Sequence, residues 1–295
     1  MNQDTPNSKL SSAVIGSLFP GDSGQPFTDT DQEPVSVPQD WQALGALYEF
    51  AELHGVTRGL PNGYLADLLG RAAAGGEQLG LAFAARRDSE VWRDITPEAK
   101  QEARRNIAGR AMAEASGLWA LSAGHAAANV VARVVRIHKG STSLDKDLNW
   151  TGLPVPFDSG RLANLSLNFA TVKHIKRAAA ATGESDLVAL IEPLSILAMS
   201  PAWIALVARR DVGYHRLRPQ SIEGGVPSQS PWVTDDSLGT VTLSVSTFSN
   251  YVPPALEDIV DEAVAGYDAL SSSMRKIRDR LPAAMRAAGV PLWSE

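Results

Sequence analysis

The sequence predicts an all-α protein, a multi-helix bundle with long central helices and at most one short β element. Alanine and leucine dominate an apolar fraction of 44%, while aromatic residues make up only 6%. Both residues enter a helix at little entropic cost, which favours close-packed helices over sheets. A second observation is the long segment from Pro97 to Gly140, which contains no signal that would end a helix.

The N-terminal part is predicted to consist of a disordered lead, residues 1–38, and a helical region, residues 39–95. The lead is rich in Ser, Thr, Asp, Gln, Pro and Gly, so it offers too little apolar surface to offset its ordering entropy. The helical region is expected to hold three helices, separated by Gly55 and by the pair Gly75–Gly76. Their predicted bounds are Trp41–His54 with Asp40 as N-cap, Asn62–Ala74 and Glu77–Val91.

Residues 96–295 are predicted as the main helical bundle. Thr96 and Pro97 give the first long helix an N-cap and a first-turn proline, and Gly109, Gly117 and Gly124 could kink it. Ser200 and Pro201 repeat that start signal further along the chain. The remaining helices are expected from Asp158 or Ser159 to Ala181, from Glu184 to Met199, from Pro201 to Pro219, and from Ala255 to Leu281.

A loop insertion, residues 219–252, is expected between the last two helices, because it is rich in Gly, Pro, Ser and Asp. Within it, Thr240–Phe248 alternates polar and apolar residues and includes β-branched ones. This alternation is the best strand signal in the chain and accounts for the one short β element.

Composition limits the function classes. The chain has no cysteine, which excludes disulfides, thiolate catalysis and zinc sites with sulfur ligands. The net charge of -6 argues against a broad nucleic-acid surface but leaves room for a small basic site. The polar start and the lack of a long uninterrupted apolar run predict a cytoplasmic protein with no membrane partner.

No cofactor or metal is expected. Glycine-rich phosphate loops, HExxH, GxSxG and EF-hand loops are all absent from the sequence. The five histidines are scattered, and no two are four residues apart as in a helix-borne metal site. They are His54, His125, His138, His174 and His215.

One short segment carries the chemistry. Between positions 209 and 218 four arginines, one acid, one tyrosine and one histidine occur in an otherwise acidic protein. Arginine binds phosphate bidentately, tyrosine stacks on bases, and histidine titrates near neutrality. The pattern predicts catalytic roles for Arg210 and His215, and RNA or phosphate binding by Arg209, Tyr214, Arg216 and Arg218.

These residues support cleavage of an RNA phosphodiester without a metal. His215 would act as general base on a ribose 2′-OH or as general acid on the leaving 5′-oxygen. Arg210 would stabilise the charge that builds up on the phosphorus centre. The expected product carries a 2′,3′-cyclic phosphate.

The segment Arg210-Asp211-Val212-Gly213-Tyr214-His215 resembles the R-[polar]-x3-H signature of HEPN-domain proteins, which are helical bundles. Many of them are metal-independent ribonucleases of toxin–antitoxin, phage-defence and RNA-processing systems. The resemblance implies catalytic roles for Arg210 and His215, with Asp211 as the polar residue. It also implies a homodimer with a composite site, RNA as substrate, and an antitoxin or other protein as partner.

Three alternatives stay open at this stage. Arg210 and His215 could simply form a cationic helix C-terminus that complements the helix dipole. A HEPN-like fold could also serve a non-catalytic role in nucleotide sensing. Finally, the chain could be a helical scaffold or sensor that binds a partner through the arginine-rich segment. A second pair with the same spacing, Arg133 and His138, is expected to be structural because its helix is apolar almost all round.

Overall fold

The computed structural model describes residues 29–57, 59–60, 63–95, 102–141, 143–148, 165–215 and 254–291, and every regular element in these ranges is helical. The predicted all-α class is therefore confirmed. In chain order the elements are α1 (Asp29–Ala43), a 3-10 turn (Leu44–Leu47), α2 (Tyr48–Thr57), α3 (Tyr64–Asp94), α4 (Glu102–Ile137), the single-turn α5 (Leu144–Asp147), α6 (Phe169–Thr182), α7 (Ser185–Met199), α8 (Pro201–His215) and α9 (Leu256–Ala287).

The first helix begins earlier than predicted, and the prediction of one helix over Trp41–His54 is wrong because these residues are divided between α1, the 3-10 turn and α2. Helix α1 starts at Asp29, inside the stretch that composition assigns to the disordered lead. Val37 and Trp41, four residues apart and so on one helix face, are buried, and the Trp41 indole donates a hydrogen bond to the carbonyl of Met274, 3.0 Å away. The average composition of a segment cannot predict such tertiary contacts. Residues 1–28 lie outside the described residues.

The glycine pair Gly75–Gly76 does not end a helix, which corrects the prediction of two separate helices. Helix α3 runs unbroken through both positions. A Cβ at Gly76 would lie 2.6 Å from the carbonyl oxygen of Pro38 and 2.9 Å from the Cβ of Trp41, and one at Gly75 would lie 3.1 Å from Ala126. The glycines therefore let α1 and α4 approach α3 closely, which offsets the cost of glycine inside a helix, about 1 kcal/mol each.

The long helix predicted after Pro97 is confirmed as a single element, α4, although the Thr96 cap lies outside the described residues. Its glycines do not break it. Gly109, Gly117 and Gly124 instead leave space for Leu256, Leu206 and Trp203, which belong to α9 and α8. Buried side chains from α1, α3, α4, α7 and α9 form one continuous core, so α4 is central to the bundle, as its small apolar residues predict.

The C-terminal helices follow local capping signals. The predicted start of α6 at residue 158 or 159 is wrong, because residues 165–168 are not helical and Asn168 caps the helix by accepting a 2.9 Å hydrogen bond from the Thr171 amide. The Ser200 cap of α8 is confirmed, since its hydroxyl accepts the Trp203 amide at 3.2 Å. The insertion 219–252 and the strand Thr240–Phe248 lie outside the described residues.

Among the residues that the structure describes, one helix is long and apolar enough to cross a membrane by length and composition alone. It is the α4 segment Arg105–Ile137, and 72% of its most apolar window is buried inside the protein. Helices α7 and α8 pass the same test only as a pair, with a bend of 61° between them. The core helix of a soluble bundle has the same properties as α4.

Candidate anion-binding site on α8

Helix α8 carries most of the arginine-rich segment. Its described backbone is helical from Pro201 to His215. The side chains of Asp211, Tyr214 and His215 lie outside the described part, and so do Arg216 and Arg218 altogether. The side-chain geometry of the predicted site can therefore be examined at Arg209 and Arg210.

Two apolar side chains fix α8 against the bundle. Trp203 is 1% exposed and packs where Gly124 of α4 has no side chain, and Leu206 is 3% exposed and packs against Gly117 and Gly266. Arg210 follows Trp203 by seven residues, which is close to two full helical turns. It therefore lies on the stripe of α8 that faces α4, where it is half-buried.

Arg209 points to a different neighbour. Its guanidinium forms an ion pair with Glu262 of α9, in which Nε lies 2.7 Å from the carboxylate and Nη2 also contacts the same oxygen. The pair joins α8 to α9 from a partly buried position. The carboxylate of Glu262, in the same chain, therefore already pairs with the arginine to which the sequence assigns phosphate binding.

His125 of α4 lies next to this part of α8. Its Nδ1 accepts a hydrogen bond from the Leu167 amide at 2.9 Å, and its ring meets the Trp203 ring edge-on, with 6.2 Å between the centroids. Burial and, to a smaller extent, the positive charge of Arg210 together lower the pKa of His125 to about 4. Arg210 and His125 therefore act on one another across the α4–α8 contact.

The sequence does not predict that His125 and Arg210 lie near each other. His125 lies among small apolar residues of α4, a context that predicts a buried histidine whose hydrogen bonds are formed inside the protein. The hydrogen bond from the Leu167 amide to Nδ1 agrees with the second part of that prediction. Its ring is only partly buried, however. No spacing pattern could reveal the pair, because the two residues lie 85 positions apart in the sequence (210 minus 125).

The competing pair, Arg133 and His138, is structural, as expected. Arg133 is 1% exposed; its Nε lies 2.8 Å from Asp67, and its Nη1 donates to the side chain of Asn129 at 2.9 Å. His138 accepts the Gly140 amide at the end of α4. Both residues stabilise the fold by contacts inside the chain.

A second basic group lies on α6. Lys173 and Lys176 are exposed, while Arg177 pairs with Asp147 and His174 lies 3.8 Å from the same carboxylate. The Arg177 guanidinium holds the pKa of Asp147 below its usual range. This group is a solvated face of α6, and Asp147 of the neighbouring α5 is the acid that pairs with it.

Among the residues that the structure describes, no group of three or more His, Asp or Glu side chains is arranged to hold a metal ion. Comparison with known proteins gives no match: no family model, no curated protein and no solved structure is significantly similar to this chain. The function of this protein is therefore inferred from the residues of its own chain.

Proposed function

We propose that this protein is a metal-independent endoribonuclease of the HEPN type, with Arg210, Asp211 and His215 at its active site. One observation carries most of the proposal. Arg210 is held half-buried on the α4-facing side of α8 with its charge next to an imidazole, in an all-helical protein. A cation partly removed from water binds phosphate more strongly than one on an open surface.

In the proposed reaction, His215 takes the proton of a ribose 2′-OH, and the 2′-oxygen attacks the adjacent phosphorus atom. The bond between phosphorus and the 5′-oxygen breaks, and the leaving oxygen takes up a proton. Arg210 stabilises the additional negative charge on the phosphate oxygens. The products are a 2′,3′-cyclic phosphate and a free 5′-hydroxyl.

The reaction needs two protomers. Helix α8 extends through both residues, and five positions along a helix turn the direction of a side chain by about 140°. Positions 210 and 215 of one chain therefore lie on different sides of the helix axis. We propose a two-fold homodimer in which Arg210 of one protomer faces His215 of the other, with an antitoxin or other protein partner covering the site when the enzyme is silent.

The direct test is cleavage of single-stranded RNA in EDTA by the wild type and by Arg210→Ala and His215→Ala. Each substitution is expected to reduce the rate on the order of 10²- to 10⁴-fold, since each removes a group that acts in the transition state. Arg280→Ala and His138→Ala are matched controls, because both residues lie in described helical contacts away from α8. Equal loss in the controls would indicate unfolding instead of lost chemistry.

A second candidate function is a non-enzymatic scaffold or sensor that binds a partner through the α8 segment. The ion pair between Arg209 and Glu262 favours a non-catalytic role for the segment, because it gives that arginine a structural function inside the chain. Under this function the protein would capture RNA or an acidic partner, and no RNA would be cut in the same assay.

A further inference from the structure

His125 presents a fixed hydrogen-bond donor. Because Nδ1 accepts the Leu167 amide, the neutral ring carries its proton on Nε2. In the described part of the chain Nε2 has no hydrogen-bond partner, and the ring is partly exposed. The Trp203 ring and the Leu167 amide hold the imidazole in one orientation, so the Nε2–H group is preorganised.

The cation next to this donor is Arg210. The stripe formed by Trp203, Leu206 and Arg210 faces α4, and Trp203 packs directly beside His125 at Gly124. An arginine side chain extends back along its helix towards the N-terminus, here in the direction of Trp203. The charge of Arg210 reaches His125 strongly enough to affect its titration.

We propose that His125 and Arg210 form one binding site for a phosphodiester group, with His125 donating from Nε2 and Arg210 supplying the positive charge. The chemistry of the two groups matches this ligand class, because a phosphodiester carries a negative charge on oxygens that a guanidinium and a neutral N–H donor can both bind. The assignment of that phosphodiester to substrate RNA rests on the proposed function. His125 is then a binding residue that positions the phosphate, and proton transfer is left to His215.

The neutral state of His125 is part of the proposal. Burial and the neighbouring guanidinium keep the ring neutral at neutral pH, and Nε2 carries its one ring proton because Nδ1 accepts the Leu167 amide. Such a ring cannot accept the proton of a 2′-OH, but it can donate a hydrogen bond to a phosphate oxygen without adding charge. A hydrogen bond to a charged group contributes about 1.5–3 kcal/mol, which corresponds to roughly 10- to 100-fold in affinity.

Two substitutions separate the two nitrogens of the ring. His125→Asn keeps an acceptor for the Leu167 amide and removes the outward donor. His125→Gln keeps a donor near the position of Nε2 and removes the acceptor. The probe is a short 2′-O-methyl RNA oligonucleotide, which contains phosphodiesters but lacks the attacking hydroxyl, and binding is measured by fluorescence anisotropy with thermal melts as a check on folding.

We expect His125→Asn to bind roughly 10-fold or more weakly than the wild type, and His125→Gln to stay within about threefold. NMR adds a readout that a structural role would not move: the bound oligonucleotide raises the pKa of His125 in the wild type but not in Arg210→Met. Wild-type affinity in His125→Asn, the reverse order of the two variants, an unchanged pKa, or no binding to the wild type would overturn the site. Binding with this pattern but without cleavage of ordinary RNA would overturn the ribonuclease proposal alone.

Discussion

Asp88 is the least satisfied acid in the described core. It is 3% exposed on α3, and its Oδ1 has no hydrogen-bond partner. Burial alone raises the pKa of Asp88 from 3.8 to about 7. The folded protein therefore binds this proton more tightly than the unfolded chain does, and its free energy of unfolding falls as pH rises from about 4 to 7.

Asp88→Asn should remove that dependence. Asparagine keeps the shape and stays neutral, so we expect the variant to gain stability over the wild type as pH rises through this window, by up to about 1.4 kcal/mol per pH unit. Urea unfolding at pH 5 and pH 8 measures the difference. If the two proteins change in parallel between these pH values, the carboxyl is ionised or solvated in the folded state and this account of Asp88 is wrong.

Arg133 tests the value of a fully buried ion pair against a partly buried one at the same acid. Asp67 binds both Arg133, which is buried, and Arg71, which is four residues away on the same helix. We expect Arg133→Met to cost about 3 kcal/mol, because it leaves buried polar partners unsatisfied, and Arg71→Met to cost at most about 1 kcal/mol. Denaturant unfolding of both variants measures the two losses in the free energy of unfolding. Equal losses would contradict the expectation that burial makes the Arg133 pair more costly to break.

At the scale of elements, the approach of α1 to α3 depends on Gly76. A Cβ there would meet backbone atoms of Pro38 and Gln42, which cannot move aside as a flexible side chain could. We expect Gly76→Ala to lower the free energy of unfolding by about 1–3 kcal/mol. Gly70→Ala is the matched control on the same helix: nothing lies within 4 Å of its Cβ, so helix propensity should stabilise that variant by up to about 1 kcal/mol.

Thermal or denaturant unfolding distinguishes the two glycines. A Gly76→Ala protein as stable as Gly70→Ala would show that α1 does not pack on α3 in solution. Residues 29–38 would then belong to the disordered lead after all, as the composition of that stretch predicts.

Local signals predicted those elements whose ends are set by neighbouring residues. The Ser200–Pro201 start of α8 and the bounds of α7 followed from caps and helix formers, whereas the sequence left open whether α4 is one helix or two stacked pieces. One error arose where contacts between distant residues decided the outcome, and another where two local start signals competed. Gly75 and Gly76 look like helix ends but serve close packing, and Asn168 caps α6 in a region where earlier polar residues offered a competing start.

Only part of the candidate site could likewise be predicted from the sequence. The local concentration of arginines predicts a catalytic role for Arg210, which stays a prediction, and the structure places this residue on the α4-facing side of its helix. The same pattern could not predict that Glu262 binds Arg209 or that Arg210 influences His125. Both relations arise from the packing of α8 against α9 and α4, which one short segment cannot encode.

At the scale of the whole molecule, the proposed homodimer makes a complementation prediction. Arg210→Ala and His215→Ala proteins are each expected to be inactive, but a mixture that exchanges subunits should recover activity. In a mixed dimer one of the two composite sites receives its arginine and its histidine from unmodified positions. RNA cleavage by the mixture, with sedimentation confirming dimers, measures this; a monomer at high concentration or an inactive mixed dimer would exclude the composite site.

The most direct test of the central proposal is the chemistry of the cut RNA end in EDTA. We expect the wild-type protein to leave a 2′,3′-cyclic phosphate and a 5′-hydroxyl at undiminished rate without divalent metal, and Arg210→Ala and His215→Ala to leave the RNA intact. Cleavage that stops in EDTA, that yields 5′-phosphates, or that continues in both variants would contradict attack by the 2′-OH at this site. If no RNA is cut, the arginines of α8 belong to a binding or structural helix end.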